Sequence, residues 1–199
     1  MDRKLNVSTE TVLNATRKML SQHGSAVSLE LVAAEAGLTR QTLYNRFGSK
    51  QTLLRAAFDD LRQQIHARLD NAPWDAEPEV LLPVIARIVA DSFLDLAMAK
   101  LLRAMIQAVE DIPEISISLR SDQTGQVLKK MIEYLEAKTR AGEFHVKDPE
   151  TQVMLFLGSI SGFLFPRLLL GTVDPDEHVN QKLIGASIAS FLRIWRNAE

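Results

Sequence analysis

Apolar and small residues recur at three- and four-residue intervals along nearly the whole chain, the spacing that gathers them on one face of an α-helix. Over residues 9–23 they fall at Val12, Leu13, Thr16, Met19 and Leu20, and Gly24 is placed to end that helix. Ser28 suits the N-cap of a second helix over residues 29–36, which Gly37 stops. Thr39 can cap a third helix reaching Phe47, and Ser49 a fourth running to about Leu69. The stretch Asn-Ala-Pro-Trp-Asp-Ala-Glu-Pro-Glu, residues 71–79, then breaks the period. Helix is expected again over 79–97, with Pro83 early in it, and over 99–110. A long helix over 114–140 should be irregular near 121–125 and stop at Gly142, and helices over 149–170 and 176–197 finish the chain. No alternating Val/Ile/Thr/Tyr run bounded by turns occurs, and there is no internal repeat. The fold class is therefore all-α.

The second and third helices and the turn between them carry the functional signal. Val32, Ala33, Ala36, Leu38, Leu43 and Phe47 would form a shared inner face. Ala33 is small enough for a crossing helix to approach, and Gly37 sits where a sharp turn needs a left-handed residue. This is the spacing of a helix-turn-helix, whose second helix enters the DNA major groove. With Leu43 and Phe47 inward, Arg40, Gln41, Thr42, Tyr44, Asn45 and Arg46 remain outside. Arginine can pair with guanine, glutamine or asparagine with adenine, and a threonine methyl with thymine. Thr39 and Tyr44 suit phosphate oxygens, and Ser28 adds a hydroxyl at a helix N-terminus. Lys50 opens the fourth helix, where the helix dipole disfavours a cation, so a backbone phosphate is the better reason for it. A short solvated helix, or a module that docks a protein partner, would use similar residues.

Composition adjusts this picture modestly. The 199 residues carry a formal charge of −2, but unevenly. Residues 1–70 hold ten Lys/Arg against seven Asp/Glu, and the remainder hold thirteen against eighteen. That is an anion-binding head on an acidic body. The absence of cysteine excludes disulfides, thiolate metal sites and a cysteine nucleophile, and fits a reducing cytosol. The first residues lack the apolar core of a signal peptide. Residues 153–171 are apolar enough to raise a membrane span, but Pro166 and Arg167 interrupt them and Ser159 and Ser161 dilute them. They read as a buried helix, so no membrane partner is expected and the location expected is cytoplasmic. The four histidines are scattered and none follows a glutamate by three residues, so a helical-bundle metal carboxylate enzyme finds no ligand set. No phosphate loop or nucleophile triad stands out. Catalytic residues, metal and cofactor are all expected to be none.

The segment Ser-Leu-Glu-Leu-Val-Ala-Ala-Glu-Ala-Gly-Leu-Thr-Arg-Gln-Thr-Leu-Tyr-Asn-Arg-Phe-Gly-Ser-Lys-Gln-Thr-Leu-Leu, residues 28–54, resembles the TetR (tetracycline-repressor) family of bacterial transcriptional regulators. Residues 12–24 resemble that family's first helix. Residues 103–115 and 140–162 resemble the effector domain of multidrug-efflux regulators of this kind. The resemblance implies a ligand-responsive repressor: a three-helix DNA-binding head over residues 1–50 and an effector-binding and dimerisation body over 51–199. It implies contacts to double-stranded DNA from Ser28, Thr39, Gln41, Thr42, Tyr44, Asn45, Arg46 and Lys50. Arg40 is added on its chemistry alone, since the family often has a small residue near it.

The resemblance also implies a homodimer built from the last two helices, which would set two recognition helices about 34–36 Å apart on a palindromic operator. Gly158 and Gly162, one turn apart, offer a smooth face, with Phe163 beside them. Leu183, Ser187, Phe191 and Trp195 form a stripe on the last helix. These seven residues are the expected interface. A lipophilic small-molecule effector is implied among the middle helices. Phe93, Met98, Met105, Met131, Tyr134 and Met154 are the expected lining, because methionine packs adaptably.

Overall fold

A computed structural model of the protein describes residues 7–94, 96–108, 123–171 and 177–197. These form nine α-helices and one 3-10 turn, with no strand among the described residues. The helices are α1 (Thr9–His23), α2 (Leu29–Glu35), α3 (Arg40–Phe47), α4 (Lys50–Asp70), α5 (Pro78–Leu94), α6 (Leu96–Ala108), α7 (Gln123–Arg140), α8 (Pro149–Leu170) and α9 (Glu177–Arg196). The 3-10 turn, Gly24–Ala26, follows α1. The helix ends follow the caps expected from sequence. Ser28, Thr39 and Ser49 each accept a backbone N–H in the first turn of α2, α3 and α4, and Ser8, which was not among the expected caps, does the same for α1. Where no cap residue marks the chain the periodicity misplaced the boundary: α6 starts at Leu96 rather than 99, because Ala97, Met98 and Ala99 all favour helix. Of the irregular stretch expected near 121–125, residues 121 and 122 lie outside the described residues, as does the first part of the helix expected from 114, while residues 123–125 form the regular first turn of α7.

Helix packing divides the chain into two compact units: Met1–Gln63 with Leu96–Ser118, and Gln64–Asp95 with Leu119–Glu199. This division falls inside α4, and it gathers α6 with the N-terminal helices because α6 packs on α1. In the first unit α1 buries Val12, Leu13, Ala15, Met19 and Leu20, and α4 contributes Leu53, Leu54, Ala57 and Phe58. Thr16 is buried too, its hydroxyl donating to the Val12 carbonyl at 2.8 Å, so no polar group is left unpaired there. Arg17 of α1 pairs with Asp60 of α4, and the Lys100 ammonium of α6 donates to the carbonyl of Ser21 near the end of α1.

The second unit packs α5, α7, α8 and α9 around Leu81, Leu82, Ile85, Met131, Leu135, Phe156, Ile160 and Trp195. The connection after α4 is tied down by polar contacts. Trp74 Nε1 donates to the Leu69 carbonyl at 2.7 Å, and the Tyr134 hydroxyl donates to the Ala76 carbonyl at 2.9 Å. Burial pushes the Tyr134 phenol up to about 12, which keeps it protonated and donating. Among the described residues no helix is long and apolar enough to cross a membrane.

Candidate nucleic-acid interface

The turn between α2 and α3 is built by the backbone. Gly37 has φ +69°, a left-handed conformation that a side chain would strain. Its N–H donates to the Ala34 carbonyl at 3.2 Å, and the Leu38 N–H reaches back to Ala33 at 2.8 Å. This paired arrangement closes the end of α2 and redirects the chain within two residues. Ala33, Val32 and Ala36 are buried, so α2 packs closely on its neighbours. On α3 the fully buried residue is Leu43, with Phe47 half-buried one turn later. That pair fixes which face of α3 points out.

The outward face carries the residues expected from sequence. Thr39, Arg40, Gln41, Thr42, Tyr44, Asn45 and Arg46 are exposed, while Ser28 and Lys50 are half-buried at the starts of α2 and α4. The face is internally ordered. Thr39 Oγ1 accepts the Thr42 N–H at 3.1 Å, and the two hydroxyls lie 2.9 Å apart. Gln41 Nε2 donates to Asn45 Oδ1 at 2.8 Å, which aligns two amide groups along one edge of the helix. The Gln41 carbonyl oxygen and the Asn45 amino group remain to meet an adenine edge, which presents one donor and one acceptor.

Two contacts were not read from the sequence. Arg46 donates to the Val7 carbonyl at 2.9 Å, so its guanidinium holds the chain just before α1. Nothing in the sequence marks residues 39 positions apart as partners. Arg40 pairs with Glu30 of α2, Nε to Oε1 at 2.5 Å. Opposite charges flanking a tight turn were the available signal for that pair. Hydrogen bonds from its own backbone N–H and from the Ser28 hydroxyl, with Arg40 adding a smaller pull, hold the Glu30 carboxyl below the usual carboxylate range.

The other expected residues separate. Gly158, Gly162 and Phe163 are exposed on α8. Ser187 and Trp195 are buried in their own chain, and Phe191 packs inward edge-on to Phe156 at 5.5 Å. Leu183 is half-buried. The stripe on α9 is thus the side turned to the core of its own unit, and Trp195 has no surface to offer a second copy. The outward side of α9 carries Ala186, Ala189, Ser190 and Ile194 instead.

The expected pocket residues are distributed over both units. The side chains of Phe93 and Met105 lie outside the described residues. Met98 is buried in the first unit, while Met131 and Tyr134 fill the core of the second. Met154 points outward, because α8 is apolar nearly all round and the core takes Val153, Phe156, Leu157 and Ile160. Depressions of about 620 and 430 Å³ on the second unit are lined by other residues, among them Arg68, Pro83 and Arg87, and His145, Lys147 and Arg193.

Residues 12–57 match the family model of bacterial regulatory proteins of the tetR family, and residues 80–197 match that of the AefR-like transcriptional repressor C-terminal domain. The chain belongs to the TetR family. It is similar to the HTH-type transcriptional regulator AlkX of Mycobacterium tuberculosis, 46% identical over 67 residues, which is 31% of each chain. The match therefore spans about a third of the length of that curated relative. Among solved structures, a TetR-family regulator from Mesorhizobium loti aligns over 99% of this chain and 100% of its own, with 18% identity and a TM-score of 0.76. SmeT, the repressor of the Stenotrophomonas maltophilia multidrug efflux pump SmeDEF, aligns over 96% and 92%, with 18% identity and a TM-score of 0.64. At that identity the likeness speaks for the fold. The TetR assignment makes this chain a transcriptional regulator with a helix-turn-helix, and the family is one of regulators rather than enzymes.

Proposed function

We propose that the protein is a cytoplasmic repressor that binds a palindromic operator as a homodimer and is released by a small lipophilic effector. The observation that carries the reading is the polar face of α3, turned outward by the buried Leu43 and ordered by the Gln41–Asn45 hydrogen bond. In this reading Gln41, Thr42 and Asn45 read base edges, Thr39, Tyr44, Ser28 and Lys50 hold backbone phosphates, and Arg46 sets the chain that enters α1. The DNA-binding head comprises residues 1–50 and the effector-binding, dimer-forming body residues 51–199. Selection of bound duplexes from genomic fragments tests the reading, followed by release with apolar and aromatic compounds. Failure to enrich any duplex would overturn it. Once an operator is known, Gln41→Ala is expected to relax preference at particular bases. Lys50→Ala should weaken all sequences alike and flatten the dependence of log K on log salt by about one phosphate contact, a slope change near 0.9. Uniform loss from Gln41→Ala, in competition binding across single-base operator variants, would remove it from base reading.

The dimer is proposed to form through the outward faces of α8 and α9. Leu155, Gly158, Gly162 and Pro166 share one face of α8, and nothing lies within 4 Å of a Cβ built on either glycine. Large apolar side chains exposed on these two helices include Leu155, Phe163 and Ile194. Replacing Leu155 or Ile194 with glutamate adds charge to that face without disturbing the core of the unit. Each is expected to shift the sedimentation mass from dimer to monomer with little change in thermal stability at high protein dilution. A dimer that persists in both variants would place the interface elsewhere.

A further inference from the structure

Arg40 is oddly placed for stability. It is the first residue of α3, where the exposed N–H groups of the helix make a cation unfavourable, and it stays largely exposed. An exposed ion pair with Glu30 returns little, because both long side chains are solvated. Glu30 is equally odd for a surface that must meet phosphates. It adds a negative charge between the Ser28 hydroxyl, which donates to it, and the Arg40 guanidinium. Its place in the first turn of α2 suits the helix dipole, but that would hold without any partner on α3. What the pair does achieve is geometric. The Glu30 carboxylate lies against the Arg40 Nε, on the side of the guanidinium away from its terminal NH1 and NH2 fork.

We propose that Glu30 is a positioning residue for base recognition: it buttresses Arg40 through Nε, so that the free end of the guanidinium reads the N7 and O6 acceptors of a guanine. The inference deepens the operator-binding reading and rests on it. Without the carboxylate, the arginine swings among nearby phosphates and binds sequence-independently. With it, phosphate contact is opposed by a like charge and guanine contact is retained. Glu30 thereby raises selectivity rather than affinity.

The test is a double-mutant cycle on the wild-type operator and its single-base variants. Glu30→Gln keeps the size of the side chain and removes its charge. It is expected to bind random duplex more tightly, with a steeper salt dependence, while losing about tenfold of its discrimination at one G·C position. Arg40→Ala should lose discrimination at that same position, and Glu30→Gln should add nothing to it. A purely structural Glu30 would change the melting temperature and leave the base profile intact, which would overturn the proposal. So would additive losses, or losses at different positions. Glu30→Asp, which keeps the charge but shortens its reach, should fall between wild type and Glu30→Gln. A wild-type protein that selects no duplex at all would overturn the operator reading and this inference together, whereas one that selects an operator indifferent to Glu30 would overturn only the inference.

Discussion

Trp195→Ala is expected to destabilise the second unit by about 4 kcal/mol, the range for emptying a large aromatic site in a packed core. The side chain is fully buried, and its ring lies 5.6–5.7 Å from those of Phe144, Phe156 and Phe191. Those rings come from the segment before α8, from α8 and from α9 itself, so no single helix can move to fill the space. The indole Nε1 donates to Gln152 Oε1 at 3.1 Å, and its loss leaves that oxygen without its partner in a half-buried site. The backbone carbonyl of Trp195 accepts the His145 N–H at 2.7 Å, so loosening the ring also loosens the end of α9. Urea denaturation followed by circular dichroism measures the effect as a lower midpoint. Trp195→Phe should lose much less, because it keeps most of the apolar volume and forfeits chiefly the indole hydrogen bond. If Trp195→Ala instead unfolded like the wild type but sedimented as a monomer, the indole would belong to an interface between copies.

The reason Trp195 was readable as an interface residue shows where the sequence stops informing. Leu183, Ser187, Phe191 and Trp195 do lie along one side of α9, as their four-residue spacing requires. A stripe of this kind records that a face is covered, not by which chain. Apart from Ile194, the outward face is made of Gly185, Ala186, Ala189 and Ser190, residues too small to give a hydrophobic signal. α8 is harder still, since apolar residues surround it and leave no period to assign Met154 to inside or outside. The head was more legible because its determinants are local. Ser28, Thr39 and Gly37 act through backbone groups within five residues, and the two buried anchors of α3 follow from helical spacing. Its long-range contacts, Arg46 to Val7 and Arg17 to Asp60, depend on how helices are folded back on one another. Nothing local specifies those.

Leu43→Ala is expected to cost about 3 kcal/mol and to abolish binding to every operator variant at once. α3 has eight residues, too few to persist as a helix by its own backbone hydrogen bonds. It is held at its N-terminus by the Thr39 cap and on its inner side chiefly by Leu43, the one residue of α3 that is fully buried. Truncating that side chain removes a large part of the apolar surface that α3 buries, and the half-buried Phe47 sits at the far end of the helix. The outward groups then lose their common frame: Gln41 and Asn45 need a regular helix to stay four residues apart on one edge. The signature differs from that of a contact residue. Gln41→Ala should keep the protection of α3 amides against hydrogen exchange and lose selectivity, whereas Leu43→Ala should lose the protection and bind no sequence. The same variant should leave the urea midpoint of the second unit, followed by Trp195 fluorescence with Trp74 replaced by phenylalanine, close to that of the matched parent. Retained operator affinity in Leu43→Ala would mean that a different surface meets the DNA.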